Sequence, residues 1–196
     1  MLKSRTGRRR GESSTRTAIL KAARAIFARK GYGGATFRAV AAQARVDPGL
    51  VVHFFGSKAG LFEASLELPF RPEELQAVLA GDRRTLGRRL AAFYLKSVFH
   101  HRAQTVQSLL RSCVSHPEAA AILRRAIEST AVGLLEAALP GPEAALRGEL
   151  VASQMMGLFL ARHILRVAPI AAVSEERLIA LLGPVLQQTL IPARRR

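Results

Sequence analysis

The sequence predicts an all-α protein in two modules, a small N-terminal three-helix module and a larger C-terminal helical one. Apolar residues recur at helical spacing from Ile19 onward, and the last two thirds of the chain holds no alternating, strand-like runs. Glycine and proline punctuate the chain where short helices would begin and end. With 196 residues, 49% of them hydrophobic and 22% charged, the chain has the makeup of a folded protein. It is long enough for one sizeable core, or for a small module joined to a larger one.

Each element follows from local chemistry. Residues 1–12 carry Lys3, Arg5, Arg8, Arg9 and Arg10 and nothing that could bury a face, so they read as a disordered basic arm. Ile19, Ala22, Ala23, Ile26 and Phe27 then mark one face of an amphipathic helix ending at Gly31, with Arg16, Lys21, Arg24 and Arg29 opposite. Thr36 caps a second helix with Phe37, Val40, Ala41 and Ala44 inward, and Asp47 followed by Pro48 opens a third as cap and first helical residue. Gly56 closes that helix, and Ser57 caps a fourth reaching about Leu66. The three-helix module, with this fourth helix behind it, therefore occupies 13–66 and the larger module 67–196. In the latter, helical periods fall near Pro72–Ala80, Arg83–His101, Gln104–Ser115, Pro117–Leu139, Pro142–Arg166 and Glu175–Leu190. Pro72, Pro117 and Pro142 suit first turns, whereas Pro184 should kink or split the last segment.

Charge narrows the function. Thirty Lys and Arg against fourteen Asp and Glu leave +16, which argues for a polyanionic partner, nucleic acid or an anionic membrane surface. Residues 1–65 hold 13 basic and 3 acidic side chains, so the excess concentrates at the amino end. No apolar run reaches the 18 or so residues that span a bilayer, and the basic start lacks the apolar segment of a secretory signal, so a cytoplasmic protein without a membrane partner is expected. One cysteine, Cys113, excludes an intramolecular disulfide framework and any multi-cysteine metal site, as a reducing compartment would fit.

Enzyme readings fail on spacing. His100 and His101 point about 100° apart on a helix and have no acidic partner one turn away. No phosphate-binding, dinucleotide-binding, nucleophile-elbow or zinc-protease motif occurs, and Cys113 with His116 lacks a third partner. No catalytic residue, metal or cofactor is expected.

Two short helices joined by a tight turn at Arg45 and Val46, after a longer first helix, have the spacing of a helix-turn-helix. Thr15 to Ser65, above all GYGGATFRAVAAQARVDPGLVVHFFGSKAGLFEAS, resembles the N-terminal DNA-binding domain of the TetR family of bacterial transcriptional regulators. The glycine turn, threonine cap, alanine-rich helix, short turn and tail of Phe55, Lys58, Leu61 and Phe62 carry the likeness. Arg45 stands where the family often has glycine, so a left-handed residue there would carry strain of about 1–2 kcal/mol.

The third helix of such a motif enters the major groove N-terminus first. With Val46, Val51 and Phe55 turned inward, Pro48, Gly49, Leu50, Val52, His53 and Phe54 form the outer face. It is apolar, suited to thymine methyls and to His53, with little bidentate arginine readout. Thr36, Arg38 and Lys58 are candidate phosphate contacts, and Arg5, Arg8, Arg9 and Arg10 could enter a minor groove. If each of two protomers neutralised about 4 phosphates, the salt slope would be near −7.

The resemblance implies a regulator, with repression the favoured sign, that binds a palindromic operator in double-stranded DNA as a homodimer and leaves it when a small-molecule effector binds. Dimerisation falls to the segments near 142–166 and 175–190. The candidate stripes are Leu150, Met155, Leu158, Phe159 and His163, and Leu178, Leu181, Leu182, Val185 and Leu186. Phe93, Tyr94, Ser97, His101, Leu109, Cys113, Met155, Met156 and Phe159 are candidate effector contacts. The alternative is a nonspecific or architectural DNA-binding protein in which charge does everything.

Overall fold

A computed structural model describes residues 6–68, 70–100, 103–139, 141 and 143–192, with the side chains of 6–12, 100 and 103–105 outside that description. Arg5 and His101 therefore lie outside the described residues, as do the side chains of Arg8, Arg9 and Arg10. The described residues contain helices and no strand.

Helix α1 (Thr6–Gly34) opens inside the segment read as a disordered arm: its backbone is already helical from Thr6. The expected stop appears as a break at Gly31, with φ 67° and ψ −179°, a conformation for which glycine carries no Cβ penalty. Ile19, Ala22, Ala23, Ile26 and Phe27 are all buried, and Arg16, Lys21, Arg24 and Arg29 are exposed. Helices α2 (Phe37–Ala44), α3 (Pro48–Phe55) and α4 (Lys58–Ser65) complete the module. Val40, Ala41, Val51, Leu61 and Phe62 close its core over α1.

The remaining α-helices are α5 (Pro72–Leu79), α6 (Leu86–Tyr94), α7 (Ala103–Ser115), α8 (Pro117–Ile127), α9 (Gly133–Ala138), α10 (Ala144–Phe159), α11 (Ala168–Ala172) and α12 (Glu175–Leu190). Pro72 and Pro117 begin their helices as expected, and Pro142 lies outside the described residues. Three predicted long helices are interrupted by wide π-helical turns at Leu95–His100, Glu128–Val132 and Leu160–Ile164. Pro184 neither ends nor splits α12, which runs unbroken to Leu190. Pro184 and Ala180, whose carbonyl loses its partner, are both exposed, so that group faces solvent.

The chain forms two compact units, one of Met1–Glu67 with Ser108–Leu123 and one of Leu68–Gln107 with Arg124–Arg196. The linear division at 66/67 thus misses a stretch. Ala119 and Ile122 belong to the same buried cluster as Ile19, Val51 and Phe62. In the second unit, Leu75, Leu86, Leu90, Leu135, Val151, Met155, Leu186 and Leu190 form the core. There α6 lies so close to α12 that Gly87 N–H donates to Gln187 Oε1 at 2.8 Å, while Gln187 Nε2 donates to the Arg83 carbonyl at 2.8 Å.

Candidate nucleic-acid interface

Three side-chain caps fix the short helices of the first unit. Thr36 Oγ1 accepts from Ala39 N–H at 3.2 Å, Asp47 Oδ1 from Gly49 N–H at 2.7 Å, and Ser57 Oγ from Gly60 N–H at 3.0 Å. Each satisfies a donor the first turn would leave unpaired. Between α2 and α3, Arg45 is left-handed, with φ 57° and ψ 46°, so the strain expected of a non-glycine residue is present. Its N–H returns to the Ala41 and Ala42 carbonyls at the end of α2, and three residues separate that helix from α3.

That turn presents α3. Val51 is fully buried, while Pro48, Gly49, Leu50, Val52 and His53 face solvent, with Leu50 39% and Val52 46% exposed. The outer side of this helix thus carries two exposed branched side chains beside a proline and a glycine. Phe54 departs from expectation: it is half-buried against the core cluster, its ring 6.3 Å from Phe55 and 5.4 Å from His53. Its ring is therefore partly committed to holding α3 in place.

The phosphate candidates divide. Thr36 and Arg38 are exposed. Lys58 instead turns back: its Nζ donates to the Gly33 carbonyl at 3.0 Å and sits 4.9 Å from the centre of the Tyr32 ring. It braces the module, and a phosphate there would share an ammonium already held on one side. Arg16, whose guanidinium lies 5.4 Å from the Phe55 ring, is an exposed cation that the sequence reading left out of the contact set. Its place on the polar face of α1 was the available signal.

The effector candidates fall in different units. Phe93, Tyr94, Ser97, Met155, Met156 and Phe159 belong to the second unit, Leu109 and Cys113 to the first. Leu109 packs on the first unit's core, and burial pushes the Cys113 thiol above its ordinary value. In the second unit the Tyr94 hydroxyl donates to the Met155 carbonyl at 2.8 Å, and burial pushes its phenol up. Phe93 meets Phe70 edge-on at 5.7 Å, Met155 and Phe159 are buried, and Ser97 is half-buried. Met156 is 39% exposed, so it lines no interior.

His163, placed by the sequence reading on the dimer stripe, packs inward against Phe99 at 4.4 Å and Phe159 at 4.9 Å. Its Nε2 and the Gln154 Oε1 are buried without hydrogen-bond partners, and burial lowers the imidazole's proton affinity. Met155, Phe159, Leu178 and Leu186 are core residues of their own unit, which removes them from an intermolecular stripe. Leu158 and Leu182 are half-buried, and Leu150, Leu181 and Val185 remain exposed, joined by Leu146 and Leu160.

Among the described residues no group of three His, Cys, Asp or Glu side chains could hold a metal ion, and no helix is long and apolar enough to cross a membrane.

A capped short helix, a left-handed turn and a second helix whose outer side is free together define a helix-turn-helix DNA-binding module. Residues 19–65 match the model for bacterial regulatory proteins of the tetR family, and residues 85–190 match the tetracyclin repressor-like C-terminal domain. The chain belongs to the TetR family of bacterial transcriptional regulators. A TetR-family regulator from Streptomyces coelicolor A3 is 32% identical over 92% of this chain and 96% of its own, with a TM-score of 0.66. NalD of Pseudomonas aeruginosa, the secondary repressor of the MexAB-OprM multidrug efflux pump, is 22% identical over 92% and 98%, with a TM-score of 0.65. The multidrug binding protein EbrR, complexed with imidazole, is 22% identical over 92% of each chain, with a TM-score of 0.66. These last two share the fold. No curated protein shows a significant match in sequence.

Proposed function

We propose that the protein is a cytoplasmic repressor that binds a palindromic operator as a homodimer and is released by a small-molecule effector. The observation that carries this reading is the outer side of α3, where Leu50, Val52 and His53 stand exposed behind the Pro48–Gly49 entry on a helix held by Asp47 and Val51. One such helix reads few base pairs, so useful specificity needs two heads on half-sites about one helical turn apart. The exposed Leu146, Leu150 and Leu160 near and along α10, with Leu181 and Val185 on α12, supply apolar surface for the pairing. NalD is a repressor and EbrR a multidrug binding protein, which supports the same pairing of functions here. The effector contacts of the second unit are Phe93, Tyr94, Ser97 and Phe159, and His163 adds an unpartnered nitrogen beside Phe159. Release requires the effector to favour a conformer whose heads no longer fit DNA. A hundredfold preference corresponds to about 2.7 kcal/mol of coupling.

Sites selected from a random DNA pool, compared with unrelated competitor at physiological salt, test the reading. A specific regulator prefers its site by at least about a thousandfold. Val52→Glu, on an exposed position, should remove that preference while leaving the melting temperature within a few degrees. Equal binding to all sequences would instead identify the nonspecific architectural protein that the +16 charge alone would make.

A further inference from the structure

The end of α1, the turn through Gly31–Gly34 and the junction of α7 with α8 enclose a cleft of about 340 Å³. All its lining residues belong to the first compact unit. Arg29 and Lys30 enter from α1 and Arg111 from α7, with Ser115 and His116 at the junction, and no carboxylate is among the lining residues. Glu118, in the first turn of α8, accepts from the Tyr32 hydroxyl. His116 lies so close to the main chain that a Cβ on Gly33 would come 2.5 Å from its Nε2. The imidazole and the glycine backbone therefore form one wall, and three cations from two helices line the cleft with them.

Like charges gathered at one concavity raise each other's energy, and a cleft with low-dielectric walls concentrates their potential. A bound anion offsets that cost. Arg29 spends one nitrogen on Gln43 Oε1 at 3.2 Å, and a guanidinium has further donors. Arginine forks and a lysine ammonium suit phosphate oxygens. The volume equals roughly ten water molecules at about 30 Å³ each, far more than a halide needs.

We propose that this cleft binds a phosphate-class oxyanion of the size of pyrophosphate or a small phosphomonoester. The bound anion clamps the end of α1 to the α7–α8 junction.

Pyrophosphate titrated into the full chain by calorimetry, with ionic strength held constant, tests this. The expected result is saturation at one equivalent per chain, with at least tenfold weaker binding in Arg111→Glu and in Lys30→Gln and unchanged binding in Arg83→Gln, an exposed cation outside the cleft. Melting curves establish that each variant folds, and Lys30→Gln carries the test if Arg111→Glu does not. Absence of saturation, or equal weakening by Arg83→Gln, overturns the proposal. The same variants titrated with duplex DNA separate the two sources of phosphate. If pyrophosphate fails to bind but Arg111→Glu weakens DNA binding and lowers its salt slope by about 1, the cleft serves the DNA backbone and the free-ligand site is overturned.

Discussion

The Tyr32 hydroxyl donates a hydrogen bond to the Glu118 carboxylate, joining residues 86 positions apart within the first compact unit. The Tyr32 ring is buried, edge-on to Phe62 at 5.1 Å, with the Lys58 ammonium 4.9 Å from its centre. Its main-chain N–H donates to Ser112 Oγ at 3.0 Å, and Ser108 Oγ donates to the Phe27 carbonyl at 2.9 Å. The α1 terminus is thus pinned to α7 and α8 by both main chain and side chain.

Burial, with the Glu118 carboxylate beside it, pushes the Tyr32 phenol from its ordinary 10 up to about 12. The folded state therefore holds this proton more tightly than the unfolded chain. Its contribution to stability is complete below pH 10 and is lost as pH rises from about 10 toward about 12. Denaturant unfolding across that range should show a shallower alkaline decline in Tyr32→Phe than in the parent. Near neutral pH the variant should lose about 1 kcal/mol for the missing hydrogen bond.

The turn before α3 offers opposed changes. Arg45→Gly relieves left-handed strain of about 1–2 kcal/mol but adds unfolded-state entropy worth about 0.4–1 kcal/mol, so a net stabilisation of about 0.5–1 kcal/mol is expected. Asp47→Ala removes the cap on Gly49 N–H and should cost about 1 kcal/mol. Thermal melts of the two variants should move in opposite directions.

Gly87 tolerates no side chain. A Cβ there would lie 2.3 Å from the Gly183 carbonyl oxygen and 2.4 Å from Gln187 N, both main-chain atoms of α12. Gly87→Ala must push two helices apart and disturb the Gln187 bridge, for a loss of about 3 kcal/mol or more, read by chemical denaturation. Gly157, whose Cβ would meet nothing within 4 Å, is the matched control and should accept alanine.

The dimer reading predicts that Leu181→Glu and Leu150→Glu shift sedimentation toward monomer while circular dichroism stays helical. Leu181 is 54% and Leu150 46% exposed, so a charge at either position burdens an association surface more than the core. Persistence of the dimer in both variants would remove α10 and α12 from the interface.

Thr36, Asp47 and Ser57 were legible as caps because their chemistry reaches only two or three residues along the chain. The core face of α1 was equally plain, since five apolar positions share one stripe. Phe54 was not, because an eight-residue helix spans little more than two turns and cannot separate an outward position from one at its edge. The inward turn of Lys58 depends on the Gly33 carbonyl, a contact across 25 residues that no spacing encodes. π-helical turns such as Leu95–His100 escape for another reason: the wider hydrogen-bond pattern has no residue type of its own, and within a few residues a phase slip cannot be told from an ordinary break in the apolar stripe. The packing of His163 on Phe99 is not legible in the sequence because inward and intermolecular faces carry the same residue types.

Because Ala119 and Ile122 belong to the buried cluster that also holds Val51 and Phe62, a fragment cut at residue 67 would leave that cluster partly unfilled. Grafting this amino-terminal piece onto a homologue's body would therefore carry over a core with a missing plank, unless Ser108–Leu123 travelled with it.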